Sequence, residues 1–129
     1  MRDIEAIARE AVDCGFKIHT EIGPGLLESA YELLLAESLT ARGMMVQAQI
    51  PISIRANGIV IDNAFRADLL IDKKLLIEIK STEQHAAVHA KQLLTYLRLM
   101  KMPLGLLMNF GTPTFKEGIR RIANNYTGI

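Results

Sequence analysis

Apolar positions change their period several times along the chain, and each change marks an element. Ile4, Ile7, Ala8, Ala11 and Val12 recur at helical spacing, which predicts a helix over residues 3–19. Gly23-Pro24-Gly25 breaks it. A second helix is expected from Leu26 to Arg42, with Leu27, Ala30, Tyr31, Leu34 and Leu35 on one stripe and Gly43 at its C-terminal end. The period then falls to two. Val46, Ala48, Ile50, Ile52 and Ile54 alternate with mostly polar residues, and Pro51 places that strand at an edge or on a bulge. Ala56-Asn57-Gly58 is a turn, Ile59 to Ile71 is one long or broken strand, and Asp72-Lys73-Lys74 turns the chain into a short apolar strand, Leu75 to Lys80.

A third helix is predicted from His85 to Met100, closed by Pro103, with Ala86, Ala90, Leu93, Leu97 and Met100 as its apolar stripe. Leu104 to Phe110 is nearly all apolar and short, as in a strand covered on both faces. Thr114 is the expected cap of a last helix reaching Asn124. The order α-α-β-β-β-α-β-α gives an α/β sandwich with a mixed four-stranded sheet, the last helix-joined strand returning by a crossover. At 129 residues, with no repeat or linker, the chain reads as one domain, residues 1–129.

Composition removes several classes. The single Cys14 supplies neither an internal disulfide nor a cysteine-based zinc site. No apolar run approaches the roughly 18 residues of a membrane helix. The start, MRDIEAIAREA, carries acids where a secretion signal would be basic and then apolar, so a soluble cytoplasmic protein without membrane attachment is expected. The net charge of +1 is unevenly placed: residues 1–64 hold five Lys and Arg against nine Asp and Glu, and residues 65–129 hold ten against five. A basic second half suits a polyanion, although ordinary scatter of surface charge gives the same numbers. Apolar surface and split charge also predict self-association into a homo-oligomer through two-fold contacts.

The chemistry concentrates around Arg66 to Lys80. Glu78 and Lys80 lie two apart in an aliphatic strand, so they share a face. If Asp72-Lys73-Lys74 is a three-residue loop, Ile71 pairs with Leu75 and Asp68 stands opposite Glu78 on that same face. Facing carboxylates repel, and the arrangement makes sense around a cation. Oxygen donors alone suit Mg²⁺ or Mn²⁺ better than zinc. The alternative is that Glu78 and Lys80 are surface charges at the solvent end of a strand. Glu28 and Tyr31 share a face of the second helix, and His89, Gln92 and Tyr96 form a polar stripe on the third; each also has an ordinary reading as a helix-edge residue.

These residues resemble the GxxExxY family, a group within the PD-(D/E)xK nuclease-like superfamily. Its name motif stands as Gly25, Glu28 and Tyr31, its core signature as Asp68 followed by Glu78-Ile79-Lys80, and its following helix as Gln92-Leu93-Leu94-Thr95-Tyr96-Leu97. The likeness covers residues 15–125. Ala67 stands where the superfamily has Pro. The resemblance implies a restriction-endonuclease-like three-layer core and a Mg²⁺- or Mn²⁺-dependent nuclease acting on the phosphodiester bonds of nucleic acid. It further implies that Asp68, Glu78 and the Ile79 carbonyl ligate the metal, that Glu28 reaches it directly or through water, that Lys80 orients or activates the attacking water, and that Gln92 and Tyr96 support the site or touch phosphate. Two other readings stand beside it: a non-catalytic nucleic-acid or protein-interaction module on the same fold, and a structural α/β protein with superficial charges. Elsewhere, His85 and His89 lack a third zinc ligand, HExxH and phosphate-loop motifs are absent, His19 reads as a helix-end or partner-contact residue, and Cys14 as a small buried one.

Overall fold

The computed structural model describes residues 2–128. Helix α1 spans Ile4–Ile22, and its first turn is held by the Asp3 carboxylate, which accepts from the Ala6 N–H at 2.8 Å. Helix α2 spans Glu28–Ala41. It stops at Gly43, whose φ of 88° a side chain would resist. Strands β1 (Val46–Ala56), β2 (Ile59–Ile71) and β3 (Leu75–Lys80) form an antiparallel meander. Helix α3 (Ala87–Met100) crosses over to β4 (Leu104–Asn109), which runs parallel to β3. A single turn, α4 (Phe115–Gly118), leads into β5 (Ile119–Ala123), antiparallel to β4.

The sheet is therefore mixed and five-stranded, in the order β1-β2-β3-β4-β5. The expected last helix is the one element that differs. Thr114 does open a helix, with a reciprocal capping box to Glu117, but it lasts one turn. Two causes follow from the neighbourhood. Gly118 sits so close to the Asn109 carbonyl that a Cβ there would lie 1.9 Å from it, which fixes the path of the chain. Beyond it, the buried strand β4 needs a partner for its outer backbone groups, and Ile119–Ala123 supplies one, Met108 facing Ile119 and Leu104 facing Ala123.

Two aliphatic cores sandwich the sheet. On one face α1 and α2 pack Ile7, Ala11, Leu35 and Leu39 against Leu69, Ile71, Ile77, Ile79, Leu106 and Met108. On the other, Leu93 and Leu97 of α3 pack against Leu76 and Leu107. This α/β/α layering is the restriction-endonuclease-like arrangement. As Pro51 implied, β1 is an edge strand. Its register with β2 shifts between Ile52 and Ile54. Gln49, between the Ala48–Leu69 and Ile50–Ala67 pairs, keeps the register but adopts a φ of 52°. No helix among the described residues is long and apolar enough to cross a membrane.

Candidate active site

The hairpin between β2 and β3 has the register counted from the sequence. Ile71 pairs with Leu75 and Leu69 with Ile77 across the Asp72-Lys73-Lys74 loop. One step further, where the pairing ends, side chains take over the ladder. The Asp68 N–H donates to Glu78 Oε1 at 3.2 Å, and the Ile79 N–H donates to Asp68 Oδ2 at 2.8 Å. The two carboxylates thus face each other at the point where β2 and β3 part. Leu76, two residues before Glu78, anchors the same face into the α3 core.

Glu78 is only 5% exposed. Burial, and then the Asp68 charge beside it, push its carboxyl far above the usual carboxylate range, to about 9. Lys80 opposes that shift through its charge but does not cancel it. At neutral pH the pair therefore holds a proton. Lys80 lies half-buried two residues beyond Glu78, opposite Asn109 of β4, and forms no ion pair among the described residues.

Beside the pair opens a cleft of about 380 Å³, lined by Glu28, Ser29, Glu32, Gln49, Asp68 and Ile79. Glu28 enters it from the first turn of α2. Its approach is set by Tyr31, which is fully buried and stacks on Phe110 at 4.5 Å. The Tyr31 hydroxyl donates to the Gly23 carbonyl at 2.5 Å and accepts from the Leu26 N–H at 3.2 Å. Tyr31 therefore pins the Gly23-Pro24-Gly25 segment rather than facing solvent. Ser81, just past Lys80, ties the same segment to the sheet by donating to the Leu26 carbonyl at 2.7 Å.

Helix α3 brings Tyr96 to the other side. Burial, followed by the charges of Glu78 and Asp68, raises its phenol pKa, and Gln92 is within hydrogen-bonding reach of it. The Tyr96 ring stacks on Phe65 at 3.9 Å. Gln92 itself is exposed.

Two residues here have no counterpart in the sequence reading. The Gln49 amide donates to Glu32 at 2.6 Å and to Asp68 at 3.3 Å, bridging α2 to the carboxylate pair. Burial raises the pKa of Glu32, and the charges of Asp68 and Glu28 add to it. Glu32 lies one helical turn after Glu28, so its sharing of that face was available from spacing. Gln49 was not, because a left-handed backbone at that residue redirects it. A further unforeseen contact is Asn109, buried in β4, which accepts from the Thr82 and Gly111 N–H groups and so fixes the backbone leaving β3.

The donors suit a hard divalent cation: all are oxygens, and a cation would offset both the burial of the Glu78 charge and the Asp68 charge beside it. The shell is not closed, however. Among the described residues no three His, Cys, Asp or Glu side chains gather closely enough to hold an ion. Asp68 and Glu78 meet, whereas Glu28 lines the cleft without joining them. His85 and His89 also gain no third partner among the described residues, although His85 Nε2 and His89 Nδ1 are buried without hydrogen bonds. His19 is buried and donates to the Thr112 carbonyl at 2.9 Å, and burial raises the pKa of the Cys14 thiol, so both are structural.

A family model for the PD-(D/E)XK nuclease superfamily matches residues 5–122. The chain belongs to that superfamily. Both the acid pair at the parting strands and Lys80 fall inside the matched segment, as does the whole sheet except its last residue, Ala123. The crystal structure of SSO0001 is similar over 93% of this chain and 79% of that one, with 19% sequence identity and a TM-score of 0.47. A search of curated proteins finds no significant relative.

Proposed function

We propose that this member of the PD-(D/E)XK nuclease superfamily is a GxxExxY-type nuclease that hydrolyses phosphodiester bonds of nucleic acid with Mg²⁺ or Mn²⁺. The observation that carries the proposal is the facing of Asp68 and Glu78 where β2 and β3 part, with Lys80 beside them. Glu78 is buried beside the half-buried Asp68, and the electrostatic cost of that arrangement supports a use beyond the two backbone N–H groups the carboxylates accept from.

Asp68 and Glu78, with the Ile79 carbonyl, would hold the cation, and Glu28 would reach it across the cleft. When bound, such a cation supplies a Lewis acid that neutralises charge developing on a phosphoryl oxygen. The protein's own groups do the rest. Lys80 places an ammonium on the Glu78 face, where it stabilises negative charge on the attacked phosphate or orients a water for in-line attack. Gln92, exposed next to Tyr96, offers an amide to a phosphate oxygen, while Tyr96 and Phe65 wall the site on the α3 side. Gln49 holds Glu32 and Asp68 together in the free protein, and its exposed amide can swing away when Asp68 is recruited.

A second reading, a non-catalytic interaction module, draws on one observation: the three carboxylates do not converge. Incubation of labelled single- and double-stranded DNA and RNA with the full chain, in Mg²⁺, Mn²⁺ or EDTA, separates the two. Cleavage that requires metal and is lost in Asp68→Asn supports the nuclease. Metal-independent binding without cleavage of any of the four substrates supports the module.

A further inference from the structure

A second concavity lies away from the acid cleft and shares no residue with it. It is an open groove of about 620 Å³ between α1, α4 and β5, with an apolar floor that includes Val12, Phe16, Leu106, Phe115 and Ile119. That volume is in the range of built binding sites. Phe16 is 55% exposed, whereas Ile7 and Ile18 of the same helix are buried. Along α1 the lining runs from Glu5 to Phe16, about 16 Å of trough at the helical rise.

The position of the groove follows from the layers. On this face α2 lies over β1 to β3 and α1 over β3 and β4. The groove opens where that helical layer stops, above β5, and so leaves room for one more helix beside α1. Charge narrows the identity of what fits. Around the rim, Glu5 is paired with Arg121 at 2.6 Å, and Asp13 with Arg42 at 2.8 Å and Lys17 at 3.1 Å. Arg9 and Lys116 remain, both exposed and without an ion pair among the described residues. The groove is thus apolar at its floor and positive at its rim.

We infer that this groove docks an amphipathic helix of a partner protein, about three turns long, with an apolar stripe and acidic flanks. The helix completes the outer layer above β5, seating apolar side chains at i, i+3 or i+4, and i+7 against Val12, Phe16 and Ile119. Its carboxylates meet Arg9 and Lys116, which select an acidic helix over a basic one more than they add affinity. An α1-to-β5 surface remote from the cleft lets a partner be held while the acid cleft stays open.

The test uses the full chain and two labelled 16-residue designed helices. They share one leucine stripe, and one carries glutamate flanks where the other carries lysine. Fluorescence anisotropy should show the acidic helix binding at least tenfold more tightly than the basic one. Phe16→Asp should weaken the acidic helix at least tenfold, and Arg9→Glu with Lys116→Glu should reverse the preference. All three positions are exposed, so melting temperatures should stay within a degree or two of the wild type. Equal binding of both helices, binding of neither, or indifference to these variants overturns the inference. So does a wild-type dimer in sedimentation that Phe16→Asp converts to monomer, because the occupant is then a second copy of this chain.

Discussion

Burial and the neighbouring Asp68 charge raise the Glu78 pKa to about 9, and that gives the free protein a definite pH dependence. The Glu78 pKa is raised on folding, so the folded state binds a proton that the unfolded chain releases. Its stabilising share is complete below about pH 4.5 and is lost as pH rises toward about 9. Chemical denaturation of the metal-free protein should therefore show stability falling between pH 5 and pH 9, and Glu78→Gln should flatten that fall. A wild-type profile already flat over this range contradicts the shared proton. Lys80→Met should lower metal-dependent cleavage by about 100-fold or more while leaving the fold intact, since proton-transfer and charge-stabilising groups contribute on that scale; an unchanged turnover rate removes Lys80 from the chemistry. The meeting of Asp68 with Glu78 was legible in the sequence because period 2 and one loop length set the register of the hairpin. Glu32 was half-legible, one turn from Glu28. Gln49 was illegible because a left-handed backbone within the strand, not a pattern, sends its amide to Asp68.

Elements carry the site by packing, and two substitutions separate packing from chemistry. Leu76→Ala removes a fully buried side chain facing Leu93, Leu97 and Leu107 and should cost about 2–5 kcal/mol, equally with and without metal. A metal-dependent cost would place Leu76 in the site itself. Tyr31→Phe keeps the stack on Phe110 but drops both hydroxyl bonds to the segment leading into Glu28. A loss of about 1–3 kcal/mol is expected from the buried groups left unpaired. Cleavage should fall as well, because Glu28 is no longer held at its approach; a stability loss with full activity would make Tyr31 a packing residue only. Most elements were readable from periodicity, and the edge position of β1 from Pro51. The end of the chain was not. Thr114 and Glu117 announce a helix correctly, but the need of β4 for an outer partner and the tight seat of Gly118 against Asn109 are tertiary facts.

At the scale of the whole molecule, a three-layer sandwich of 129 residues has a cleft lined by Glu28, Glu32 and Asp68 and an apolar, positively rimmed groove over β5. Fold membership was legible because the motifs and the element order coincide; the unclosed carboxylate shell was not, because it depends on side-chain placement across α2 and β3. Whether Asp68 and Glu78 bind a cation is the central point, and thermal melts answer it most directly. A ligand that binds only the native state stabilises it by about 2.7 kcal/mol at a hundred times its dissociation constant. Wild-type protein titrated with Mn²⁺ or Mg²⁺ should therefore melt several degrees higher, with a larger rise at pH 8 than at pH 6, because the metal must displace the proton held by the pair. Asp68→Asn should fold and melt at least as high as the metal-free wild type, yet show no rise with either ion. An identical rise in both proteins, or none in the wild type, would contradict a metal site built on Asp68 and Glu78.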